Sequence, residues 1–338
     1  MTASAVRPGW PLAARLVVLT SVLAAVLVGA VRLGATPLGA RTVVEALAGQ
    51  GDPTLVTIVR ELRLPRATQA ALVGAALALS GATFQALLRN PLAEPYVLGV
   101  SSGAAAGAVG AVVTGWAART VWALPAAAFA GAVLSMLLVL RVAVSVGRAL
   151  DPHVLLLAGE VVGSFLSAVI WLLLTFADAE SMRSAIFWMM GSHAGASWQS
   201  VGTLAACLAP ALVVLGALAR PLNLLAVGEA TAAHLGTHVE RTKLLAFGTA
   251  TLLTAASVAV SGTIGFVGLV VPHAVRLVWG SDNRALLPCA ALAGASFLVA
   301  ADTLARTVAG STELPIGVVT AFVGVPFFVW LLRRPGGA

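Results

Sequence analysis

Apolar runs of close to twenty residues follow one another along almost the whole chain, and few folds can absorb them. With generous ends they cover residues 12–31, 66–88, 96–115, 120–146, 153–177, 198–219, 243–261, 264–280, 285–303 and 313–332. A helix needs about 20 residues to cross the hydrocarbon of a bilayer. The pattern therefore predicts about ten transmembrane helices. Hydrophobic residues make up 59% and charged ones only 10%, against about 25% charged in soluble domains, so too few charges remain to coat a water-soluble surface. The expected fold class is an all-α membrane protein, a compact bundle forming one transmembrane domain over residues 1–338. No polar stretch is long enough to fold apart from it. The weakest division between spans falls at "SGTIG", residues 261–265. The first run reads as a retained span and not a signal peptide, because nine more follow it.

Ten spans place both termini on one side. If that side is the cytoplasm, the basic residues inside are Arg7, Arg15, Arg89, Arg141, Arg148, Arg220, Arg241, Lys243, Arg276, Arg284, Arg333 and Arg334. Those outside are Arg32, Arg41, Arg60, Arg63, Arg66, Arg119, Arg183 and Arg306. The excess inside supports cytoplasmic termini. Tryptophans flank the spans on both sides as an aromatic belt, with Trp171 the exception inside a span.

The net charge of +7 fits basic loops beside anionic lipid, and no basic run with interleaved aromatics points to nucleic acid. Cys207 and Cys289 lie in apolar runs and read as packing thiols. The 34 glycines suit close helix approach. Pro65 and Pro315 are expected at helix starts, and Pro272 is expected to break or kink its span. "SGATFQALLRNPLAEPYVLG" and "SGTIGFVGLVVPHAVRLVWG" share Ser-Gly, Pro and Gly at equal spacings. That is a faint sign of an internal repeat.

Two polar segments stand out. In "LLRNPLAEPYVLGVSSGAAAGA", Pro91 and Pro95 forbid a continuous helix, and a run of small residues follows at once. An ordinary loop and a tight re-entrant turn both fit. In "RPLNLLAVGEATAAHLGTHVERTK", Gly228 and Gly236 bracket a short segment with Glu229 near its start, where a helix dipole favours an acid. A surface linker and a helix seated in another protein's groove fit equally.

Many motifs in order carry a resemblance. "RLPR" (63–66), "GAALALSG" (74–81), "RNPLAEPYVLGVSSGAA" (89–105), "LLLAG" (155–159), "FWMMGS" (187–192), "NLLAVGEATAAHLG" (223–236), "GTIGFVGLVVPHAVRLVWGSDNRALLP" (262–288), "ADTLAR" (301–306) and "ELPIGVVTAFVGVPFFVWLLRR" (313–334) resemble the permease family of bacterial ABC importers for iron–siderophores, haem and cobalamin. The resemblance runs from about residue 60 to the C-terminus. It implies a multi-pass subunit of the bacterial inner membrane that pairs with a second permease, a homodimer being favoured over a heterodimer. Two cytoplasmic ATPase subunits would bind below and a periplasmic binding protein above. This chain would hold no cofactor, with ATP and Mg on the ATPase partner, and would be no enzyme.

The resemblance also assigns roles. Residues 223–236 become a cytoplasmic coupling helix, with Gly228, Glu229, Ala230, Leu235 and Gly236 in the ATPase groove. Arg63, Arg66 and Arg306 become exposed arginines that dock the binding protein, with snorkelling at the membrane edge or a local Asp302–Arg306 pair as the structural alternatives. Asn90, Pro91 and Leu92 form the cytoplasmic gate with the loop before span five. That loop reads "LDPHV", so Pro152 and His153 stand where relatives have small hydroxyl residues. Met189 and Met190 lie toward the outer mouth, where the nearby His193 is a candidate contact for haem.

Glu160 departs from the family, which has an apolar residue there. A carboxylate inside a span costs several kcal/mol unless it is partnered or wetted. It is expected either to face the path or to sit protonated between helices. No metal site is expected, since His234 and His238 have ligand spacing but no third ligand nearby. The expected function is ATP-driven import of a large metal chelate, iron–siderophore first, with cobalamin and haem behind. The alternative is an ion-coupled secondary transporter using Glu160.

Overall fold

The computed structural model describes residues 10–34, 36–146, 151–309 and 312–333. Arg7, Arg148 and Arg334 of the basic-residue pattern and Leu150 of "LDPHV" lie outside these. The helices, in chain order, are α1 (Leu12–Arg32), α2 (Ala40–Leu47), α3 (Pro53–Leu87), α4 (Val100–Val113), α5 (Ala123–Ser145), α6 (Pro152–Thr175) and α7 (Ala179–Met189). They continue as α8 (Trp198–Ala217), α9 (Ala219–Val227), α10 (Glu229–His234), α11 (Val239–Ser261), α12 (Val267–Trp279), α13 (Asn283–Thr307) and α14 (Ile316–Leu332).

Among the described residues, α1, α3, α5, α6, α8, α11 and α13 are long and apolar enough to cross a membrane. The shorter apolar helices α4, α12 and α14 complete the expected ten spans. Local chemistry sets several starts. Asp151 accepts hydrogen bonds from the amides of His153 and Val154, and Pro152 fills the first helical position of α6. Ser197 and Ser200 form a reciprocal capping box at α8.

From Val73 to Leu87 helix α3 is buried on every side, and it packs on α11, α12 and α13. It approaches its neighbours through glycine. A methyl group on Gly74 would overlap the carbonyl of Gly294 in α13, and one on Gly81 would overlap Gly268 in α12. Helices α4 and α5 meet in the same way at Gly103 and Gly131.

Cross-links define the two ends of the bundle. At one end Arg15 donates to the carbonyl of Trp279 at 3.1 Å, tying the start of α1 to the end of α12. At the other, Arg63 donates to Val31 at 2.9 Å and Arg306 to Ala30 at 3.1 Å, tying the end of α1 to α3 and α13. The first end is the expected cytoplasmic one.

Helices α4 and α12 would each span only about 20 Å at 1.5 Å per residue, short of the ~30 Å hydrocarbon. Irregular chain completes each crossing: residues 88–99 before α4, with one 3-10 turn at Pro95–Leu98, and 262–266 before α12. Such backbone is tolerated at depth only inside protein or along a cavity.

Local expectations meet different outcomes. Of the break or kink expected at Pro272, the break does not occur: α12 continues through it. The carbonyl that the missing Pro272 amide would have served, on Gly268, instead accepts from Gln85 Nε2 at 3.3 Å. Pro65 stands in the first turn of the α-helical stretch Leu64–Leu87, as expected, although that stretch continues a helix running from Pro53 through a π-helical turn, Ile58–Arg63. The wider π turn is one way a chain absorbs a proline. The apparent repeat is not structural. Its first copy is helix followed by turn, and its second is turn followed by helix.

Candidate functional site

The functional candidates sort into a handle, two re-entrant turns, two grooves and an outer clamp. The handle is the 223–236 segment. The single coupling helix expected there is two helices, α9 and α10, broken at Gly228 with φ 148° and ψ 146°. That backbone is open to glycine and strained for other residues. Gly236, at φ 82°, ends the second helix. Ala232 and Leu225 face inward, while Val227, Ala230 and Leu235 are presented outward. Val227 is 74% exposed and Leu235 62%, an unusual use of large apolar side chains beside charged groups.

Glu229 turns inward. Its carboxylate lies 3.1 Å from Arg89 Nη2 and 2.6 Å from Lys243 Nζ. Arg89, two residues past the end of α3, has φ 49°, a strained conformation for a side chain of that size. The handle is thus pinned to the last residue before Asn90, Pro91 and Leu92, and to the start of α11. Asn90 Oδ1 accepts the amide of Leu92 at 2.9 Å and closes the turn. On the other side of the expected gate, Pro152 is buried and His153 exposed. Asp151 is explained by capping α6, so "LDPHV" reads first as a helix start.

The second turn carries a relationship the sequence did not disclose. Glu94 Oε1 accepts the amide of Phe266 at 2.6 Å, joining the chain before α4 to the start of α12. Phe266 has φ 69°. Arg89 and Phe266 are the two non-glycine residues with positive φ among those described, and each sits at a re-entrant turn. Residues in such conformations cluster where the surrounding structure enforces them for function.

Two of the grooves on the surface of the single chain hold Met189, Met190 and Glu160. One, of about 590 Å³, is apolar and is lined by Met189, Met190, Phe266, Phe322, Val325 and Pro326. Met189 is anchored by Thr263, whose hydroxyl donates to its carbonyl. The other, of about 460 Å³, lies along α6 and is lined by Tyr96, Ser102, Glu160, Ser164, Ser167 and Trp171. Glu160 is exposed on this face. The path candidates Met189 and Met190 therefore fall in one groove and Glu160 in the other.

The outer clamp corrects an expectation. Arg63, Arg66 and Arg306 do not present exposed guanidinium groups. Arg63 is buried and donates to the carbonyls of Val31, Arg32 and Thr36. Arg66, 13% exposed, reaches Asp302 at 3.0 Å and Glu313 at 3.0 Å. Arg306 is buried with its Nε 3.1 Å from Asp302, which is only 1% exposed. The physical reason is the buried carboxylate, which needs countercharge and draws both arginines inward. Arg32, Arg41, Arg60, Arg119 and Arg183 are the exposed arginines of this end.

His193 is also turned away from the mouth. It is fully buried, and its Nδ1 lies 3.2 Å from Gln69 Nε2. Burial pushes its pKa down to about 4, so the ring is neutral. At the opposite end, the Arg284 side chain lowers the Asp282 carboxyl to about 2.

Against known proteins, residues 20–334 match the FecCD transport family. The chain is 46% identical over 302 residues to the cobalamin import system permease protein BtuC of Halobacterium salinarum, covering 89% of this chain and 80% of that protein. It is 45% identical over 278 residues to the vitamin B12 import system permease protein of Escherichia coli O157:H7, covering 82% and 84%. A solved structure, described as an inward-facing conformation of a metal-chelate type ABC transporter, superposes with a TM-score of 0.85 at 32% identity, covering 95% of this chain and 99% of that one.

Proposed function

We propose a substrate for this chain, which belongs to the FecCD transport family and is a multi-pass permease subunit of an ABC importer: the chelate it passes is a corrinoid of the cobalamin type. One observation carries the reading. Relatives matched over four-fifths or more of both lengths, at 45–46% identity, are cobalamin or vitamin B12 permeases. That moves the balance from iron–siderophore, favoured on the sequence, to the corrinoid. Family membership also replaces the ion-coupled alternative, since ATP hydrolysis resides in a separate subunit.

In this reading two copies of the chain pair in the inner membrane around a shared path. The apolar groove of about 590 Å³ beside Met189, Met190 and Phe322 supplies part of its wall. Two ATPase subunits, carrying ATP and Mg, grip the handle at Gly228, Ala230, Leu235 and Gly236 from the cytoplasm. Motion of the handle reaches Asn90, Pro91 and Leu92 through Glu229 and Arg89. A binding protein delivers substrate at the Arg63–Arg306 end. There the buried arginines shape the surface while exposed arginines such as Arg41 and Arg60 meet the partner.

The test is reconstitution of the permease with its ATPase and binding protein in proteoliposomes. ATP-dependent uptake of labelled cyanocobalamin, with ferric siderophores excluded, supports the reading. Uptake of siderophore alone overturns it.

A further inference from the structure

Glu160 is the ninth residue of the 24-residue helix α6, well inside the span. It has no ion pair or hydrogen bond among the described residues, yet its side chain is exposed on the single chain. An unpartnered carboxylate at that depth cannot face lipid without severe cost. The face it occupies is also not a lipid face by composition. Glu160, Ser164, Ser167 and Trp171 follow at i, i+4, i+7 and i+11, so they form one stripe, and Tyr96 and Ser102 complete the same groove. Apart from Trp171, the exposed large apolar residues of α6, Leu157, Val161, Phe165 and Leu172, form an adjacent stripe. The helix therefore shows two surfaces, one suited to lipid and one suited to water and solute.

We infer that Glu160 is a charge filter in the translocation path, favouring neutral and cationic chelates over anionic ones. The inference rests on the importer reading above and adds to it that the α6 groove, like the apolar one, lines the path. Glu160 is the one formal charge in a groove otherwise lined by hydroxyls, glycine, alanine and an indole. In a dry, narrow passage a carboxylate acts at longer range than in water, because little solvent screens it. A corrinoid without net charge, rich in amide N–H donors, meets an acceptor there. A chelate bearing carboxylates or catecholates meets repulsion.

Two experiments decide it. In the first, the full complex takes up cyanocobalamin and a corrinoid whose peripheral amides have been hydrolysed to carboxylates. The anionic-to-neutral uptake ratio is compared between wild type, Glu160→Gln and Glu160→Asp, so that the binding protein's own preference cancels. Glu160→Gln is expected to raise the ratio about tenfold, the scale for charges about 10 Å apart at an effective dielectric constant of about 20. Glu160→Asp is expected to keep the wild-type ratio. Equal ratios in wild type and Glu160→Gln overturn the inference.

The second needs no transport. With Cys207 and Cys289 replaced by alanine, Ser164→Cys reports the local potential through its reaction rates with cationic and anionic methanethiosulfonates. Faster cationic reaction that is lost with Glu160→Gln supports the filter. No reaction with either reagent, or no change with Glu160→Gln, overturns it. If wild type carries no corrinoid at all, the substrate reading fails while the thiol assay still decides the role of Glu160.

Discussion

Glu229 and Arg89 close a 3.1 Å ion pair across 140 residues of chain. One sits at the first residue of α10, the other two residues past the end of α3, next to Asn90 and Pro91. A force on the handle therefore reaches the inner mouth through a charged contact, with Lys243 at 2.6 Å holding the same carboxylate to α11.

If that contact transmits motion, cutting it uncouples hydrolysis from transport. Glu229→Gln is expected to leave ATP hydrolysis by the assembled complex largely intact. It should lower uptake per ATP by about tenfold, within the usual range of coupling free energies. Arg89→Met should act alike, and the double variant should be no worse than either single one, because both remove the same link. The check is parallel measurement of hydrolysis and uptake in proteoliposomes. Additive losses would assign the two residues to separate tasks.

The close crossings of α3 predict sharp sensitivity to one methyl group. Gly74→Ala and Gly81→Ala place a methyl group on the backbone of Gly294 or Gly268. Overpacking of this kind costs about 1–3 kcal/mol or more, and here backbone must move. Both variants should melt well below wild type in detergent. Gly202→Ala, with open space at its Cβ position, should melt at the wild-type temperature or above it.

The outer clamp should behave as structure. Asp302→Asn leaves Arg66 and Arg306 without their buried countercharge, and removing one member of such a pair costs about 3–5 kcal/mol. Thermal unfolding should show a large loss. Arg41→Ala removes an exposed guanidinium and should leave stability unchanged, with any effect confined to affinity for the binding protein.

Acidity should unlock the His193 contact. Its folded pKa of about 4 lies below the ordinary 6.5, so the unfolded chain binds a proton that the folded chain refuses. The contribution is intact above pH 6.5 and is lost as pH falls toward 4. The full swing is about 3 kcal/mol at 1.36 kcal/mol per unit. Melting curves between pH 7 and 4 should fall more steeply for wild type than for His193→Asn.

The spans were legible because bilayer thickness imposes run length directly, and "SGTIG" marked the interruption before α12. The handle was legible as a polar segment between glycines, although not its break at Gly228, which depends on a backbone angle. Of the arginines' partners, the i, i+4 pair Asp302–Arg306 was legible, and those of Arg63 and Arg66 were not. "RLPR" announces charge near residue 63, but the carboxylate that turns Arg66 inward lies 236 residues away, on α13. Glu94 was legible as a carboxylate in need of a partner, but the partner was not: it is the backbone amide of Phe266, and any residue type carries an amide. Glu160 was visible because a carboxylate inside an apolar run contradicts its surroundings.

The account turns on a cytoplasmic ATPase gripping the handle, and a photo-crosslinking residue at Leu235 in the assembled complex tests it most directly. The prediction is a covalent adduct with the ATPase subunit whose yield changes between nucleotide-free and ATP-bound states. Adducts with lipid or the binding protein alone, with none to the ATPase, would contradict it.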